Sequence, residues 1–333
     1  MRRLVRIPED ADIPMIGLIN VGLIDRGTNL IQVRAISGCN LNCIFCSVDE
    51  GPLSKTRVTT YVVDIDTLME WFNEIVEFKN TDKIEAHLDG TGEPTLHPKF
   101  VELVSRIAEN ERVKVISLQT NGVTLTYKLI DELEEIGMTR INLSLHSLDP
   151  EKSKLLVGSK NYKIDKILDT AEYIANSRID LLIAPVWVPG INDDDIIDII
   201  EYAKQTIKSS NWPILGIQKL EIHKYGRKPK NVRGMSWFKF YSRLRVWERK
   251  FKVKLKLSRS DFGIFPMKIV PPVFKKGEKV RVRIVAPGWM RSEMIGVAKD
   301  RAVTVINTNA QVGDLVNVRI VKTKHNIYIG VPA

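Results

Sequence analysis

The sequence predicts an α/β protein, a partial (β/α)6 barrel followed by a small all-β, OB-like barrel. From residue 30 to 250, short β-branched runs alternate with stretches of helical period. The strand candidates there begin 27–54 residues after the previous one, three of the five intervals lying between 27 and 35, which is the repeat of a parallel sheet. Six such units suit an open barrel better than a closed barrel of eight. After Pro271 and Pro272 the helical period stops, and about 60 residues read as closely spaced short strands, the pattern of a small β-barrel.

In chain order the strand candidates of the first part are 29–36, 83–89, 113–119, 140–146, 180–186 and 215–222. Helix candidates lie near 64–79, 98–110, 126–137, 163–177, 193–209 and 236–251. In the last of these, Trp237, Phe240, Leu244, Trp247 and Phe251 recur at 3-4-3-4 spacing, a core stripe. That leaves Lys239, Arg243, Arg249 and Lys250 on the polar face. The second part offers EKVRVRIV, MIGVAKD, RAVTVINT, DLVNVRIV and HNIYIGV, with turn signals at Pro287-Gly288 and Gly313-Asp314. The expected domains are therefore 1–270, carrying an N-terminal extension and a basic last helix, and 271–333.

Composition bounds the function. The N-terminus has basic residues but no apolar core of a secretory signal, and no window approaches a membrane span. Reduced thiols without an export signal point to the cytoplasm, and abundant Lys, Glu and Ile with few Gln and Cys fit a thermophile. Charge is uneven. Residues 1–218 carry 23 Lys+Arg against 33 Asp+Glu, whereas 219–268 carry 16 against 3 and 272–333 carry 11 against 4. The last third is thus +20 and the rest −10, an asymmetry that predicts a polyanionic partner, with RNA favoured.

All three cysteines lie within SGCNLNCIFC (37–46), spaced Cys39-x3-Cys43-x2-Cys46. A structural zinc would need a fourth ligand, which His87, His97 or His146 could supply. Three thiolates also suit a four-iron cluster with one iron left open to a cofactor or substrate, since clusters built for electron transfer normally take four cysteines.

At these residues the sequence resembles the radical SAM superfamily, whose CxxxCxxC motif is matched by Cys39, Cys43 and Cys46, with the usual aromatic at Phe45. The resemblance implies a [4Fe-4S] cluster whose open iron chelates S-adenosylmethionine, and a 5′-deoxyadenosyl radical that abstracts hydrogen. It also implies a low-potential electron donor such as ferredoxin or flavodoxin. Further motifs fall where the family expects them. In DGTGEPTLHP (89–98), Gly92 and Glu93 match the motif that holds the methionine amino group. In LQTNG, Asn121 would line the cofactor pocket. Ser144 and His146 in LSLHS share one strand face, and the family uses a polar side chain there for the ribose. A satisfied core histidine is an equal reading of His146. In PVWVPGINDDD, Asn192 or Asp193 would cap the next helix, and the acids at 193–195 suit its dipole.

The loop HKYGRKPKNVRG (223–234) is the densest basic stretch at the expected open end. Lys224, Arg227 and Lys228 could meet a phosphate backbone there, and His223 or Tyr225 could act in proton or hydrogen transfer. Residues 273–333 resemble a TRAM domain through Gly277-Glu-Lys-Val280, Gly288, Gly296 and Gly313-Asp-Leu-Val316. Lys275, Lys276, Arg281, Arg283, Arg291 and Lys299 would form its RNA surface. Trp289 would either stack a base or be buried. The resulting expectation is a radical SAM enzyme that modifies a nucleotide in structured RNA, most plausibly tRNA. It is not a methylthiotransferase, because the cysteines for an auxiliary cluster are absent. The alternatives are a radical SAM enzyme acting on a small molecule or a protein, and a non-catalytic RNA-binding protein with a structural metal.

Overall fold

The computed structural model describes residues 2–8 and 12–333. Its elements in chain order begin with β1 (Arg3–Ile7), β2 (Gly22–Asp25), β3 (Leu30–Arg34), β4 (Thr59–Val63), α1 (Ile65–Lys79), β5 (Ile84–Leu88) and α2 (Phe100–Ala108). They continue with β6 (Val113–Thr120), α3 (Tyr127–Ile136), β7 (Arg140–Leu143), α4 (Pro150–Val157), α5 (Ile164–Ala175), β8 (Asp180–Ile183) and β9 (Val186–Trp187). Then come α6 (Asp193–Thr206), β10 (Gln218–Lys219), α7 (Trp237–Phe251), β11 (Lys279–Pro287), β12 (Glu293–Ala298), β13 (Arg301–Ile306), β14 (Leu315–Lys322) and β15 (Ile329–Pro332). Among the described residues no helix is long and apolar enough to cross a membrane.

The main sheet has six strands in the order β2-β3-β5-β6-β7-β8. Its sixth member differs from expectation. The sheet starts with β2, antiparallel to β3, whereas the expected strand at 215–222 supplies only the short β10, paired with β9 outside the sheet. Leu215 makes one isolated bridge to Ile183, and Leu215, Ile217 and Leu220 are buried. Ladder bonds nevertheless continue there, Gly216 N–H donating to Ile183 O and Gln218 N–H to Pro185 O, each at 2.8 Å. Chain contacts divide the molecule into two compact units, residues 1–38, 55–115 and 265–333 in one, and 39–54 and 116–264 in the other.

In the first unit, β3 pairs in parallel with β5, and the odd-even alternation separates two faces. Ile31, Val33, Ile84, Ala86 and Leu88 are buried apolar positions, while Gln32, Arg34, His87 and Asp89 occupy the other register. On that polar face Arg34 grips Asp89 through two nitrogens, each 2.9 Å away, and Gln32 donates to the same carboxylate. Helix α1 is started by the Asp64 side chain, which accepts from Asp66 N–H, and stopped by Asn80 in the left-handed region.

The same unit contains a closed five-stranded barrel, order β11-β12-β13-β15-β14, filled by Phe274, Val282, Ile284, Val303, Val305, Val318, Ile320 and Tyr328. Gly296 and Gly330 let its walls close, since a Cβ at either would stand 2.1 Å from a valine methyl. The barrel is tied to the rest of its unit. Tyr61 Oη donates to Pro287 O at 2.5 Å, Thr59 Oγ1 to Gly288 O at 2.7 Å, and Tyr328 N–H to Gly17 O at 2.9 Å.

In the second unit, α7 buries Phe240, Leu244, Trp247 and Phe251 as the stripe predicts, but Trp237 is half exposed. Helix α4 has no counterpart among the expected helices. Asp149 caps it by accepting from Lys152 N–H, and Gly158 ends it at φ 63°.

Candidate active site

The cysteine loop starts shortly after β3 and belongs to the second unit. It is seated on the end of α4: Asn42 N–H donates to Val157 O at 2.9 Å and Ile44 N–H to Leu156 O at 3.0 Å. Gly158 is required by this seat, because a Cβ there would lie 2.2 Å from Asn42 O. Phe45 then enters an apolar cluster with Leu156, Val188, Leu220 and Val232, against which Cys43 and Ile44 also pack. Two tight turns follow, with Cys46 N–H donating to Cys43 O at 3.1 Å and Asp49 N–H to Cys46 O at 3.3 Å.

Cys39, Cys43 and Cys46 are half-buried and form no disulfide among the described residues. Glu50 N–H points at Cys46 Sγ, 3.3 Å away. Burial and the neighbouring Cys39 and Cys46 push the Cys43 thiol up, while the Arg227 cation favours its thiolate. A donor set of three soft sulfurs on one loop, close enough for Cys39 and Cys46 to act on the Cys43 thiol and with Cys46 receiving a backbone N–H, fits an iron–sulfur cluster. A single zinc fits less well. Two of the candidate fourth ligands, His97 and His146, each have protein partners.

The other expected cofactor residues fall into two groups. In the second unit, Asn121 Nδ2 donates to Asn40 Oδ1 at 2.7 Å, tying the turn after β6 to the cysteine loop. Ser144 Oγ accepts from Gln119 Nε2 at 3.0 Å. His146 is buried edge-on against Phe45 with ring centroids 4.8 Å apart, and its Nδ1 accepts from Val186 N–H at 3.1 Å. Burial lowers its pKa to about 4, so it is a neutral, partnered core histidine. Asn192 stands at the N-cap position just before α6, yet its side chain does not cap the helix. Its Oδ1 accepts from Val188 N–H and its Nδ2 donates to His146 O and Val186 O. The acids behind it have separate partners, Asp193 receiving Trp187 Nε1 and Asp195 pairing with Lys152 at 2.7 Å.

In the first unit, Gly92 lies so close to Gly38 that a Cβ would be 1.8 Å from its carbonyl oxygen. Glu93 is buried, its N–H donates to that same oxygen at 2.8 Å, and its carboxylate caps the short turn Pro94–Leu96 through Thr95.

The residues expected on an RNA surface scatter. His223, Lys224, Tyr225 and Lys228 are exposed, but Arg227 is folded into the cysteine loop. Trp289 is buried with the Arg57 guanidinium 3.6 Å above its ring. Arg283 pairs with Asp12, and Lys299 with Glu278 at 2.7 Å. Lys275, Lys276, Arg281 and Arg291 are exposed. Sequence reasoning assigned Arg227 elsewhere and overlooked Asn40, Asp49 and α4. The available signal was Asp49 following the motif and the lone Gly158 after an apolar pair.

An α/β sheet with a three-cysteine loop after an early strand defines a class of enzyme. A model of the radical SAM superfamily matches residues 33–203, and the chain belongs to that superfamily. Its members use a [4Fe-4S] cluster and S-adenosylmethionine, which are therefore this chain's cofactors. A protein of Methanocaldococcus jannaschii, itself uncharacterized, is 47% identical over 95% of this chain and 78% of its own length. A probable GTP 3′,8-cyclase of Pyrococcus abyssi is 32% identical over 68% of this chain and 65% of its own. The GTP 3′,8-cyclase of Aquifex aeolicus is 29% identical over 54% of each chain. The fold resembles Streptococcus suis SuiB bound to S-adenosylmethionine, at TM-score 0.51, 15% identity, 69% of this chain and 49% of that one. It also resembles anSMEcpe bound to S-adenosylmethionine and a peptide, at TM-score 0.51, 21% identity, 68% of this chain and 62% of that one.

These relatives overturn the expectation of an RNA-modifying enzyme. The named ones act on GTP, a small molecule, and none is named for RNA or for a TRAM domain. Segment charge was counted before folding: Arg227 is folded inward and Arg283 and Lys299 are paired, while the other six assigned cations stay exposed.

Proposed function

We propose that this protein is a radical SAM enzyme acting on a small molecule, with guanosine nucleotides the first class to test. The observation that carries the reading is the likeness of more than half the chain to GTP 3′,8-cyclases. When bound, the cofactor pair supplies one-electron cleavage of S-adenosylmethionine and hydrogen abstraction.

Within this proposal Cys39, Cys43 and Cys46 hold the cluster. Gly92 and Glu93 receive the methionine amino group, Asn121 lines the pocket, and Ser144 meets the ribose. Phe45 packs edge-on against His146 beside the cysteine loop. A ferredoxin or flavodoxin would deliver the electron. Residues 1–270 and 271–333 are proposed as the two modules, the second a TRAM-like barrel by strand pattern. The bonds from Tyr61, Thr59 and Tyr328 support a packing role for that barrel.

The test is anaerobic reconstitution with iron and sulfide, then incubation with S-adenosylmethionine, dithionite and GTP, followed by mass spectrometry. The expected result is 5′-deoxyadenosine released in step with GTP consumption and absent in Cys43→Ala. Release indifferent to every nucleotide overturns the substrate class. No release under any condition overturns the enzyme reading.

A further inference from the structure

The basic loop that follows β10 was expected to face a ligand, yet its central arginine turns inward. Arg227 N–H donates to Cys46 O at 2.8 Å. Its Nε pairs with Asp49 Oδ1 at 2.7 Å, Nη1 donates to Cys43 O at 3.1 Å, and Nη2 donates to Glu50 O at 2.6 Å. One residue therefore ties down both cysteine turns, 43–46 and 46–49, and the residue after them. The preceding Gly226 makes the approach feasible, since a Cβ there would stand 2.5 Å from Ser47 O. Asp49 is itself held at φ 55°, and Ser54 Oγ donates to its other oxygen at 3.2 Å. The guanidinium side chain is only 17% exposed, so its charge is poorly screened.

We infer that Arg227 is a positioning residue of the cysteine loop, clasping residues 43–50 and holding a fixed positive charge beside the cluster ligands that favours the reduced cluster. The clasp follows from the planar fork, which reaches three acceptors at once; a lysine ammonium in its place keeps the charge without that geometry. The electrostatic part rests on the reading of this loop as the cluster seat. A cation near a cluster stabilises the state with one more electron, and charge around a cluster is one of the factors that set its potential.

Two measurements on Arg227→Gln, Arg227→Lys and Asp49→Asn test this, with circular dichroism confirming a folded chain. The first is amide hydrogen exchange of residues 43–51 in the metal-free protein, which needs no cluster. Loss of charge-assisted hydrogen bonds should speed exchange in Arg227→Gln by about tenfold or more, with Arg227→Lys between it and wild type. Wild-type exchange in Arg227→Gln overturns the clasp. The second is the midpoint potential of the reconstituted cluster, followed by electron paramagnetic resonance. It should become more negative in Arg227→Gln, remain near wild type in Arg227→Lys, and become more positive in Asp49→Asn, a residue that tolerates left-handed backbone. Potentials that do not move in Arg227→Gln and Asp49→Asn overturn the electrostatic part. Wild-type protein that stays colourless after reconstitution refutes the cluster reading instead, and the exchange experiment still decides the clasp.

Discussion

The buried pair of Lys79 and Asp25 gives the sharpest stability prediction. Lys79 closes α1 and is fully buried, and Asp25, the last residue of β2, is 3% exposed at the side chain. Their charged atoms are 2.8 Å apart. The carboxylate also accepts Gly27 N–H and Val270 N–H, each at 2.8 Å, while the ammonium reaches Lys268 O at 3.3 Å. Asp25→Ala strips the ammonium of its counter-charge and leaves two backbone donors without their partner. Breaking a buried pair from one side costs roughly 3–5 kcal/mol. For a chain of this size about 2 °C of melting temperature accompanies each kcal/mol, so the midpoint should fall by roughly 6–10 °C. Adding Lys79→Met removes the stranded charge, and the double variant should recover about 1 kcal/mol or more relative to Asp25→Ala alone. Thermal and urea unfolding monitored by circular dichroism read both quantities. A loss below about 1 kcal/mol in Asp25→Ala, or strictly additive effects in the cycle, would refute the argument that an uncompensated buried charge sets the cost.

Three further outcomes follow from the geometry. His146 stays neutral in the folded chain to about pH 4, whereas the unfolded chain protonates it near its ordinary value. Stability from this group is present above about pH 6.5 and is lost as pH falls toward 4, by roughly 3 kcal/mol; urea unfolding of wild type against His146→Asn should show the difference. Gly92→Ala forces a methyl into Gly38 O and should destabilise by about 1–3 kcal/mol in the same assay. Trp289→Ala removes a buried ring from beneath Arg57 and should cost about 3–5 kcal/mol, where an exposed stacking tryptophan would cost under about 0.5 kcal/mol.

Elements with one buried face were legible, because alternation and the 3.6-residue period register which side meets the core. That holds for β3, β5 and β6, for α1, α2, α3, α5, α6 and α7, and for the barrel strands, whereas β7 is buried at every position and β4 was missed although it alternates. Elements whose existence depends on tertiary partners were not legible. Strand β2 is buried at every position and shows no alternation. Helix α4 has a weak apolar face and owes its ends to Asp149 and Gly158. At 215–222 the expected strand is realised in part, since Leu215 bridges Ile183 and Gln218–Lys219 pair with β9, while Leu215, Ile217 and Leu220 are buried.

The site divides along the same line. Cys39, Cys43, Cys46, Gly92 and Glu93 are proposed from residue type at fixed local spacing. Arg227 could not be read that way, since its partners are Asp49, Cys43, Cys46 and Glu50, far back in the chain. A segment charge of +20 treats that guanidinium as free for a polyanion. Folding instead sets it against an aspartate, as it sets Arg283 against Asp12 and Lys254 against Asp261. Net charge by segment measures only what the chain must neutralise, and internal carboxylates and loop carbonyls compete for it before any ligand arrives. Charge asymmetry alone therefore could not separate a nucleic acid from a small phosphorylated substrate, while the inward turn of Arg227 ties part of that asymmetry to the cysteine loop itself.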